Sequence, residues 1–322
     1  MVSILMLTYN HEHFLERALT SVTAQTLWHQ CELLIGEDCS TDNSRNIVAE
    51  FATRNGASVI PFYSEHCSIG FHRNLERLIL ASRGKYIAFL ESDDWWSEPL
   101  KLEMQISMLE GDSTLSFCGG ITAISNELPH RKDSLSVNYI QPSLELQRVS
   151  FRDLIYSFSF HASSVLMRRS CIALPDWLFR QYCMDRPLYL LAALHGDAGV
   201  IRRPLSVYRL HAKGVWAPLQ PSQKSARSVS LFRAFIKYFP KSFGLDFHAA
   251  VVGILWTYLG EALNNERPLQ ALSILAKAWS ISPMVCLREY LGLSIRVLAR
   301  IIRIPAKLLF IWSLHLLQRQ GS

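Results

Sequence analysis

The sequence predicts an α/β protein built on a mostly parallel, doubly wound sheet. Three observations support this fold class. Short apolar segments alternate with segments of helical periodicity, each apolar segment ends in a polar turn, and two of these turns are rich in carboxylates. Because ligands of open α/β sheets bind beyond the carboxyl ends of the strands, the same pattern predicts a binding site at one edge of the sheet.

The predicted elements follow one another in a regular order. An uninterrupted apolar segment predicts a strand that is buried on both faces, and apolar residues three and four positions apart predict a helix. Right-handed crossovers then place successive strands parallel to one another. The predicted strands cover residues 3–7, 31–35, 59–63, 86–90, 115–120 and 161–169, and the predicted helices include residues 13–25, a helix that ends at Phe51, residues 73–82 and an apolar helix that starts near Asp185.

The fourth strand ends in three carboxylates within four residues, Glu91, Asp93 and Asp94. Carboxylates this close repel one another unless a cation or a proton lies among them. Hard oxygen ligands suit Mg²⁺ or Mn²⁺. The sequence therefore predicts a divalent metal site at the end of this strand.

Each acidic turn also has a structural explanation, because aspartate and serine after a strand are common helix caps. Two such turns at the ends of parallel strands, together with a Thr-Tyr-Asn turn after the first strand, favour a nucleotide and metal site instead. For Asp94 both interpretations stay open: it is a second metal ligand or the cap of a helix that begins near Pro99.

Composition restricts the function classes. The chain has 322 residues, a formal net charge of +6 and a hydrophobic content of 49%, which is enough for a large core. Its seven cysteines contain no CxxC pair, which argues against a zinc site or a disulfide framework and favours a reducing compartment. The opening segment lacks the basic flank of a signal peptide, and no uninterrupted apolar run of spanning length occurs, so we expect a cytoplasmic protein.

Three segments resemble the opening motifs of the family 2 glycosyltransferases, which have the GT-A fold, and their spacing also matches. The resemblance extends from residue 2 to about residue 216. The segments are Ser-Ile-Leu-Met-Leu-Thr-Tyr-Asn-His at 3–11, Gly-Glu-Asp-Cys-Ser-Thr-Asp at 36–42 and Phe-Leu-Glu-Ser-Asp-Asp-Trp-Trp at 89–96.

The resemblance implies roles for individual residues of the donor side. Asp38 accepts a hydrogen bond from a uracil-like base, and Asp93 of the DxD motif binds the metal. Glu91 departs from the family pattern, since an aspartate usually stands at the first position of this motif; glutamate is one methylene longer and still reaches the metal or the ribose. The implied nucleotide-binding residues are Thr8, Tyr9, Asn10, Asp38, Ser40 and Glu91.

The acceptor side involves residues later in the chain. By itself Asp185 is an N-cap candidate at the start of an apolar helix; the resemblance implies that it is the general base of an inverting displacement. His211 matches a family position that completes the metal shell or binds the diphosphate, with a structural histidine as the alternative. Arg209 and Lys213 are candidates for pairing with phosphate oxygens. For His161, ligand contact and simple packing stay equally open.

Composition changes near residue 218 and divides the chain. We expect a catalytic GT-A domain at residues 1–217, a linker at 218–227 and a helical region at 228–322. Residues 288–317 combine basic residues with a broad apolar face, which fits an anionic membrane interface. Packing against the protein itself or a second subunit is the alternative. The basic residues accompany apolar ones rather than exposed stacking aromatics, which argues against nucleic acid as a partner.

Together these features predict a metal-dependent inverting glycosyltransferase. The predicted donor is a nucleotide-diphosphate sugar, with UDP-sugars favoured, and the predicted acceptor is a hydroxyl of a glycan or a lipid-linked molecule in surface polysaccharide biosynthesis. The predicted cofactor is Mn²⁺ or Mg²⁺. The alternative, prompted by Glu91, is a catalytically inactive nucleotide-sugar-binding or scaffold protein of the same fold.

Overall fold

In the computed structural model the chain forms two compact units, Met1–Ala217 and Pro218–Ser322. The structure describes residues 1–127, 139–140, 147–157, 160–212, 214, 219–265, 267–290, 294 and 298.

Within these described residues, the first unit contains one sheet of ten strands. The strands are β1 (Val2–Thr8), β2 (Cys31–Glu37), β3 (Val59–Tyr63), β4 (Tyr86–Glu91), β5 (Trp95–Trp96), β6 (Leu115–Asn126), β7 (Tyr139–Ile140), β8 (Arg148–Val149), β9 (Leu166–Arg168) and β10 (Asp197–Leu210). The main helices are α1 (Glu12–Thr23), α2 (Ser44–Asn55), α3 (Gly70–Ala81), α4 (Lys101–Gly111), α5 (Phe151–Tyr156), α6 (Asp185–Ala193), α7 (Pro221–Tyr238), α8 (Gly244–Asn264) and α9 (Pro268–Ile281).

The sheet is mixed, with the order β3-β2-β1-β4-β9-β6-β10-β5. The first four strands in this order are parallel, and β9 joins β4 and β6 by antiparallel pairing. Thr8 lies opposite Glu37, and Leu7 lies opposite Glu91. The acidic ends of β2 and β4 therefore meet beside the end of β1, as the sequence predicts.

The parallel strands are buried because helices cover the sheet. All seven residues of β2 are buried, so its central apolar residues do not alternate with exposed polar ones. The buried Glu32 accepts hydrogen bonds from Ser3 and Arg83. Helix α1 turns Leu15, Ala18, Leu19 and Val22 toward the core, at helical spacing. The hydrophobic core thus lies directly behind the strand ends and holds them in place.

The long strand β10 brings distant residues to the acidic edge. It pairs in parallel with β6, with irregular register around Pro204, and then reaches the short strand β5. Ser206 lies opposite Trp96 and Val207 opposite Trp95, so the following residues of β10 run past the turn that carries Asp93 and Asp94.

Two sequence-based expectations need correction. The strand predicted at 161–169 is limited to Leu166–Arg168, because Ala162–Ser164 forms a 3₁₀ turn held by His161 and Ser164. The linker predicted at 218–227 is helical from Pro221 onward. Pro221 occupies the first turn of α7, where its missing N–H costs nothing, and Gln220 and Gln223 form a capping box there.

The described part of the second unit consists of packed helices. Helix α8 packs against α7 and α9 and buries Phe247, Val251 and Leu255. The segment Lys241–Asn264 is long and apolar enough to cross a membrane on length and composition alone, a test that buried core helices also pass. The predicted membrane contact through 288–317 lies mostly outside the described residues.

Candidate active site

The end of β4 and the turn after it carry three carboxylates, Glu91, Asp93 and Asp94, which we define as the carboxylate cluster; Glu91 is partly buried and the two aspartates are buried. Asp93 is 9% exposed and Asp94 1% exposed. His211 Nε2 lies 3.0 Å from Asp93 Oδ2, and the backbone N–H of Arg209 donates to Asp94 Oδ1 at 3.0 Å. The other oxygen of each aspartate, Asp93 Oδ1 and Asp94 Oδ2, is buried and makes no hydrogen bond among the described residues.

Burial and mutual repulsion set the charges of this cluster. Burial, with the charges of Asp93 and Asp185, raises the pKa of Glu91 to about 8. Burial, with the charges of Asp93 and Glu91, raises the pKa of Asp94 well above its usual value. Burial would also raise the pKa of Asp93, but the hydrogen bond from His211 and the charges of His11 and His211 outweigh it, and the pKa is lowered. Asp93 is thus the carboxylate that stays ionised most readily.

The donor atoms of the cluster fit a divalent cation of the Mn²⁺ or Mg²⁺ type. Asp93 Oδ1 is a buried carboxylate oxygen without a hydrogen-bond donor, and an imidazole lies beside the same carboxylate. Within the described part of the chain, no group of three or more His, Cys, Asp or Glu side chains is arranged to hold an ion. In proteins Mg²⁺ is usually bound by one or two carboxylates together with water and substrate phosphates.

Asp38, in the turn after β2, has a different environment. Its two oxygens accept four hydrogen bonds, from the hydroxyls of Ser64 and Ser68 and the backbone N–H groups of Ile69 and Gly70. Burial would raise the pKa of Asp38, but these hydrogen bonds lower it overall. These bonds fasten the loop before α3 to Asp38. A base N–H would share the same two oxygens, and the base contact that the resemblance implies stays a prediction.

The other nucleotide-binding candidates lie at the same edge. Asn10 has a positive φ of 56°, and its side-chain oxygen accepts from the N–H of Thr41 at 2.8 Å, while its own N–H donates to Ser40 Oγ at 3.0 Å. Asn10 and Ser40 therefore join the first turn to the second. Thr8 Oγ1 is buried without a hydrogen bond among the described residues. Tyr9 is 48% exposed and presents its ring to solvent at this edge.

Arg209 and His161 are occupied by the chain itself. Arg209 Nε donates to the carbonyl of Asp93 at 2.9 Å, and its guanidinium pairs with Glu127 and lies 4.8 Å from the ring of Trp95. The phosphate contact predicted for Arg209 stays a prediction. His161 packs on the ring of Tyr208 at 4.5 Å and lies 2.8 Å from Ser163 Oγ.

Burial lowers the pKa of His161 to about 4, which favours the neutral form of the packed imidazole. Ligand contact by His161 stays a prediction. His161 Nδ1 lies 3.5 Å from Asp94 Oδ2.

Asp94 does not cap the next helix, because Leu100 is the N-cap of α4 and Asp94 accepts a hydrogen bond from Arg209 of β10 instead. Lys213 lies outside the described residues.

Asp185 is the first residue of α6, after Met184 at the N-cap position. Its Oδ1 accepts from the N–H of Arg186 at 2.8 Å. Burial raises the pKa of Asp185 despite this bond and a hydrogen bond from the thiol of Cys183. Because the charge of Asp185 also raises the pKa of Glu91, the two carboxylates share one electrostatic environment. The structure thus connects Asp185 with the carboxylate cluster, although more than ninety positions separate them in sequence.

Three further residues belong to this environment and were missed by sequence reasoning. His11 Nδ1 lies 2.8 Å from Ser92 Oγ, and its charge lowers the pKa of Asp93. The ring of Tyr208 packs on His161. Burial is the largest cause that raises the pKa of Tyr208, and the charges of the carboxylate cluster add to it. Tyr189 follows Asp185 by one helical turn. Two signals in the sequence could have found two of these three residues. Tyr189 lies four residues after Asp185, the spacing of neighbours on one helix face, and His11 is the last residue of the first motif.

The mixed sheet, with acidic turns at the ends of its parallel strands and a cluster reached from β10 and α6, defines the GT-A class of fold. The sequence model of Glycosyl transferase family 2 matches residues 3–173, which is more than half of the chain. The chain therefore belongs to glycosyl transferase family 2.

Relatives in curated collections agree with this family. An uncharacterized protein of Mycobacterium tuberculosis is 29% identical over 215 residues, 67% of this chain and 60% of the relative. WfgD of Escherichia coli, a UDP-Glc:alpha-D-GlcNAc-diphosphoundecaprenol beta-1,3-glucosyltransferase, is 30% identical over 172 residues, 53% of this chain and 62% of that protein. The matched region thus spans about 60% of the length of these relatives.

Solved structures show the same fold. Residues 1–349 of S. aureus TarS in complex with UDP-GlcNAc give a TM-score of 0.65 at 15% identity, covering 93% of this chain and 86% of that one. The mannosyltransferase PcManGT of Pyrobaculum calidifontis, in complex with GDP-Man and Mn²⁺, gives a TM-score of 0.58 at 16% identity, covering 94% and 86%.

Proposed function

We propose that this protein is a metal-dependent inverting glycosyltransferase that uses a nucleotide-diphosphate sugar, with a UDP-sugar as the favoured donor. The observation that carries the proposal is the position of the carboxylate cluster. Asp93 presents a buried oxygen without a donor beside His211, and Asp185 acts electrostatically on the same cluster. One site therefore holds candidate groups for both the departing diphosphate and the attacking hydroxyl.

On the donor side, Asp93 and His211 would hold the Mn²⁺ or Mg²⁺ ion. When bound, such an ion neutralises the charge that develops on a leaving diphosphate. Thr8, Tyr9 and Glu91 lie at the same sheet edge and are proposed to line the nucleotide pocket. The charge of His11 helps to keep Asp93 ionised, and the carbonyl contact from Arg209 fixes the turn that carries it.

On the acceptor side, Asp185 accepts the proton of the acceptor hydroxyl. The oxygen of that hydroxyl forms the new bond to the anomeric carbon while the bond to the diphosphate breaks, which inverts the configuration. A carboxylate of raised pKa is a stronger base than an ordinary aspartate, and the burial of Asp185 has this effect.

The names of the relatives support the substrate classes. WfgD is named for a UDP-Glc donor and a diphosphoundecaprenol-linked acceptor, and TuaG of Bacillus subtilis, 34% identical over 122 residues, is named as a putative teichuronic acid biosynthesis glycosyltransferase. We extend these classes to this chain as a glycan or lipid-linked acceptor in surface polysaccharide biosynthesis.

A lipid-linked acceptor would place the protein at the cytoplasmic face of a membrane. The basic and apolar composition of residues 288–317 supports such a contact. The seven cysteines, all unpaired, support a reducing compartment.

The proposal is tested by incubating the protein with a panel of UDP- and GDP-sugars and measuring nucleoside diphosphate release with Mn²⁺ and with EDTA. We expect release with at least one donor, and only with the metal. Binding of a nucleotide sugar without release, in the presence of Mn²⁺ and a mixed glycan acceptor extract, would favour the inactive binding protein instead.

A further inference from the structure

Among the described residues, Tyr189 carries the only buried tyrosine hydroxyl that makes no hydrogen bond. Its side chain is 3% exposed. A hydroxyl that is removed from water and left without a partner is unfavourable. Such groups are rare in stable folds, and their presence beside a candidate active site indicates a contact that forms only in another state of the molecule.

The ring of Tyr189 is held firmly. It stacks on Phe117 of β6 with a centroid distance of 5.4 Å, and Phe117 in turn meets Phe160 edge-on at 5.9 Å. Phe117 and Phe160 are both almost completely buried. The hydroxyl therefore has a fixed position, set by aromatic packing rather than by a hydrogen bond.

The helix geometry directs this hydroxyl toward the candidate base. Asp185 and Tyr189 are four residues apart on α6, so they lie on the same face in successive turns. Long side chains in helices lean toward the N-terminus, which is the end of α6 that carries Asp185. Burial is the largest cause that raises the pKa of Tyr189, and the charges of Asp185 and Glu91 are the next largest. The phenol therefore stays protonated near both carboxylates.

We propose that Tyr189 is a positioning residue for Asp185: in the substrate-bound enzyme its hydroxyl donates a hydrogen bond to one oxygen of the Asp185 carboxylate and leaves the other oxygen to accept the acceptor proton. This inference rests on the proposed function of Asp185 as the base. It explains why a phenol, rather than phenylalanine, occupies an otherwise apolar place against Phe117.

The test is Tyr189→Phe, which keeps the stacked ring and removes only the hydroxyl. Tyr156→Phe is the matched control, because it removes the same group from a tyrosine that is 51% exposed on α5. We expect Tyr189→Phe to lower kcat about tenfold, the size of one hydrogen bond to a charged group. The donor KM should stay within the range of the control, and the thermal unfolding midpoint should match the control or exceed it, because an unpartnered buried hydroxyl is removed.

The pH profile separates positioning from packing. Asp185 is faced by the Cys183 thiol, Arg186, Glu91 and Tyr189. A donor to the ionised carboxylate lowers its pKa, so loss of the hydroxyl should move the acid limb of kcat toward higher pH. Neither the control nor a purely structural variant should move it.

The outcomes are distinct. An unchanged kcat and acid limb in Tyr189→Phe, with an active wild type, would overturn the inference and leave the proposed function standing. A fall in kcat that accompanies a lower unfolding midpoint without a shifted acid limb would show a packing role and also overturn it. Absence of nucleoside diphosphate release by the wild type with every donor would overturn the proposed function and the inference together.

Discussion

Two acidic turns lie at the same edge of the sheet, and they differ in how their oxygens are used. In the turn after β2, both oxygens of Asp38 are filled by four donors of the chain. In the turn after β4, Asp93 and Asp94 each keep one buried oxygen without a hydrogen bond among the described residues. A carboxylate that the chain has saturated serves folding, whereas an unsaturated one is available to a ligand.

The same difference appears in the pKa values. The hydrogen bonds to Asp38 overcome its burial and lower its pKa. Burial and mutual repulsion raise the pKa of Glu91 to about 8 and that of Asp94 well above normal. Each unsatisfied buried group costs on the order of 1–3 kcal/mol, so the carboxylate cluster is expected to lower the stability of the protein without a cation.

The largest effect that would distinguish the two turns is expected for Asp93→Asn. The variant would lose the carboxylate proposed to hold the cation that neutralises the leaving diphosphate, so nucleoside diphosphate release should fall by about 10³-fold. The free energy of unfolding should fall as well, because the variant loses the buried pair with His211 that lowers the pKa of Asp93. Initial rates and urea unfolding measure both effects, with Asp112→Asn, a surface carboxylate paired with Arg148, as the control.

Asp185→Asn should come next, since it removes the base but not the metal ligands. We expect kcat to fall about 10²-fold with unchanged affinity for the nucleotide, because general base catalysis contributes about 10²–10⁴-fold. Rates and calorimetric titration with UDP and Mn²⁺ separate the two quantities. A loss of nucleotide affinity equal to the loss of kcat would contradict the separation of roles.

Asp38→Asn should show the opposite pattern. The amide keeps the size of the side chain but cannot accept all four hydrogen bonds, so the free energy of unfolding should fall by about 2 kcal/mol, the size of one hydrogen bond to a charged group. At temperatures well below the thermal unfolding midpoint, the catalytic rate of Asp38→Asn should fall far less than that of Asp93→Asn. A rate loss as large as that of Asp93→Asn without a loss of stability would reverse the comparison.

A smaller effect is expected in the acid stability of the wild type. The folded pKa of Asp38 lies below its unfolded value, so the stabilisation that it supplies is present above about pH 4 and is lost as the pH falls through the lower folded pKa. Glu32, whose lowered pKa reflects hydrogen bonds from Ser3 and Arg83 that outweigh burial, adds to this loss. Thermal unfolding between pH 6 and pH 3 should show a smaller decline for Asp38→Asn than for the wild type.

Sequence patterns predicted the parts of the fold that local physics determines. The strand at 59–63 and the helix at 268–281 agree with the structure because apolar periodicity and Pro268 mark them clearly. The turn at Ala162–Ser164 was missed, since its hydrogen bonds from small polar residues leave no periodic signal. The continuous strand β10 was missed because Pro204 and the basic residues before it resemble a loop, although the irregular register with β6 accommodates them.

The site was predictable only where one motif carries the chemistry. Asp93 and Asp185 are candidates from local context and the family resemblance, and their roles stay predictions. The four donors of Asp38 come from positions 26 to 32 residues later in the chain, so no local pattern reveals that this carboxylate is saturated. The cation–π and carbonyl contacts of Arg209 likewise depend on the placement of β10 against β5.

Direct measurement of Mn²⁺ binding tests the central claim, that unsaturated carboxylates mark the ligand site. Electron paramagnetic resonance of free Mn²⁺, followed while wild-type protein is added in the presence of UDP, should show the signal fall as the ion binds. Asp38→Asn should retain this binding, and Asp93→Asn should lose it. Equal Mn²⁺ binding by wild type and Asp93→Asn, or its loss in Asp38→Asn alone, would contradict the account.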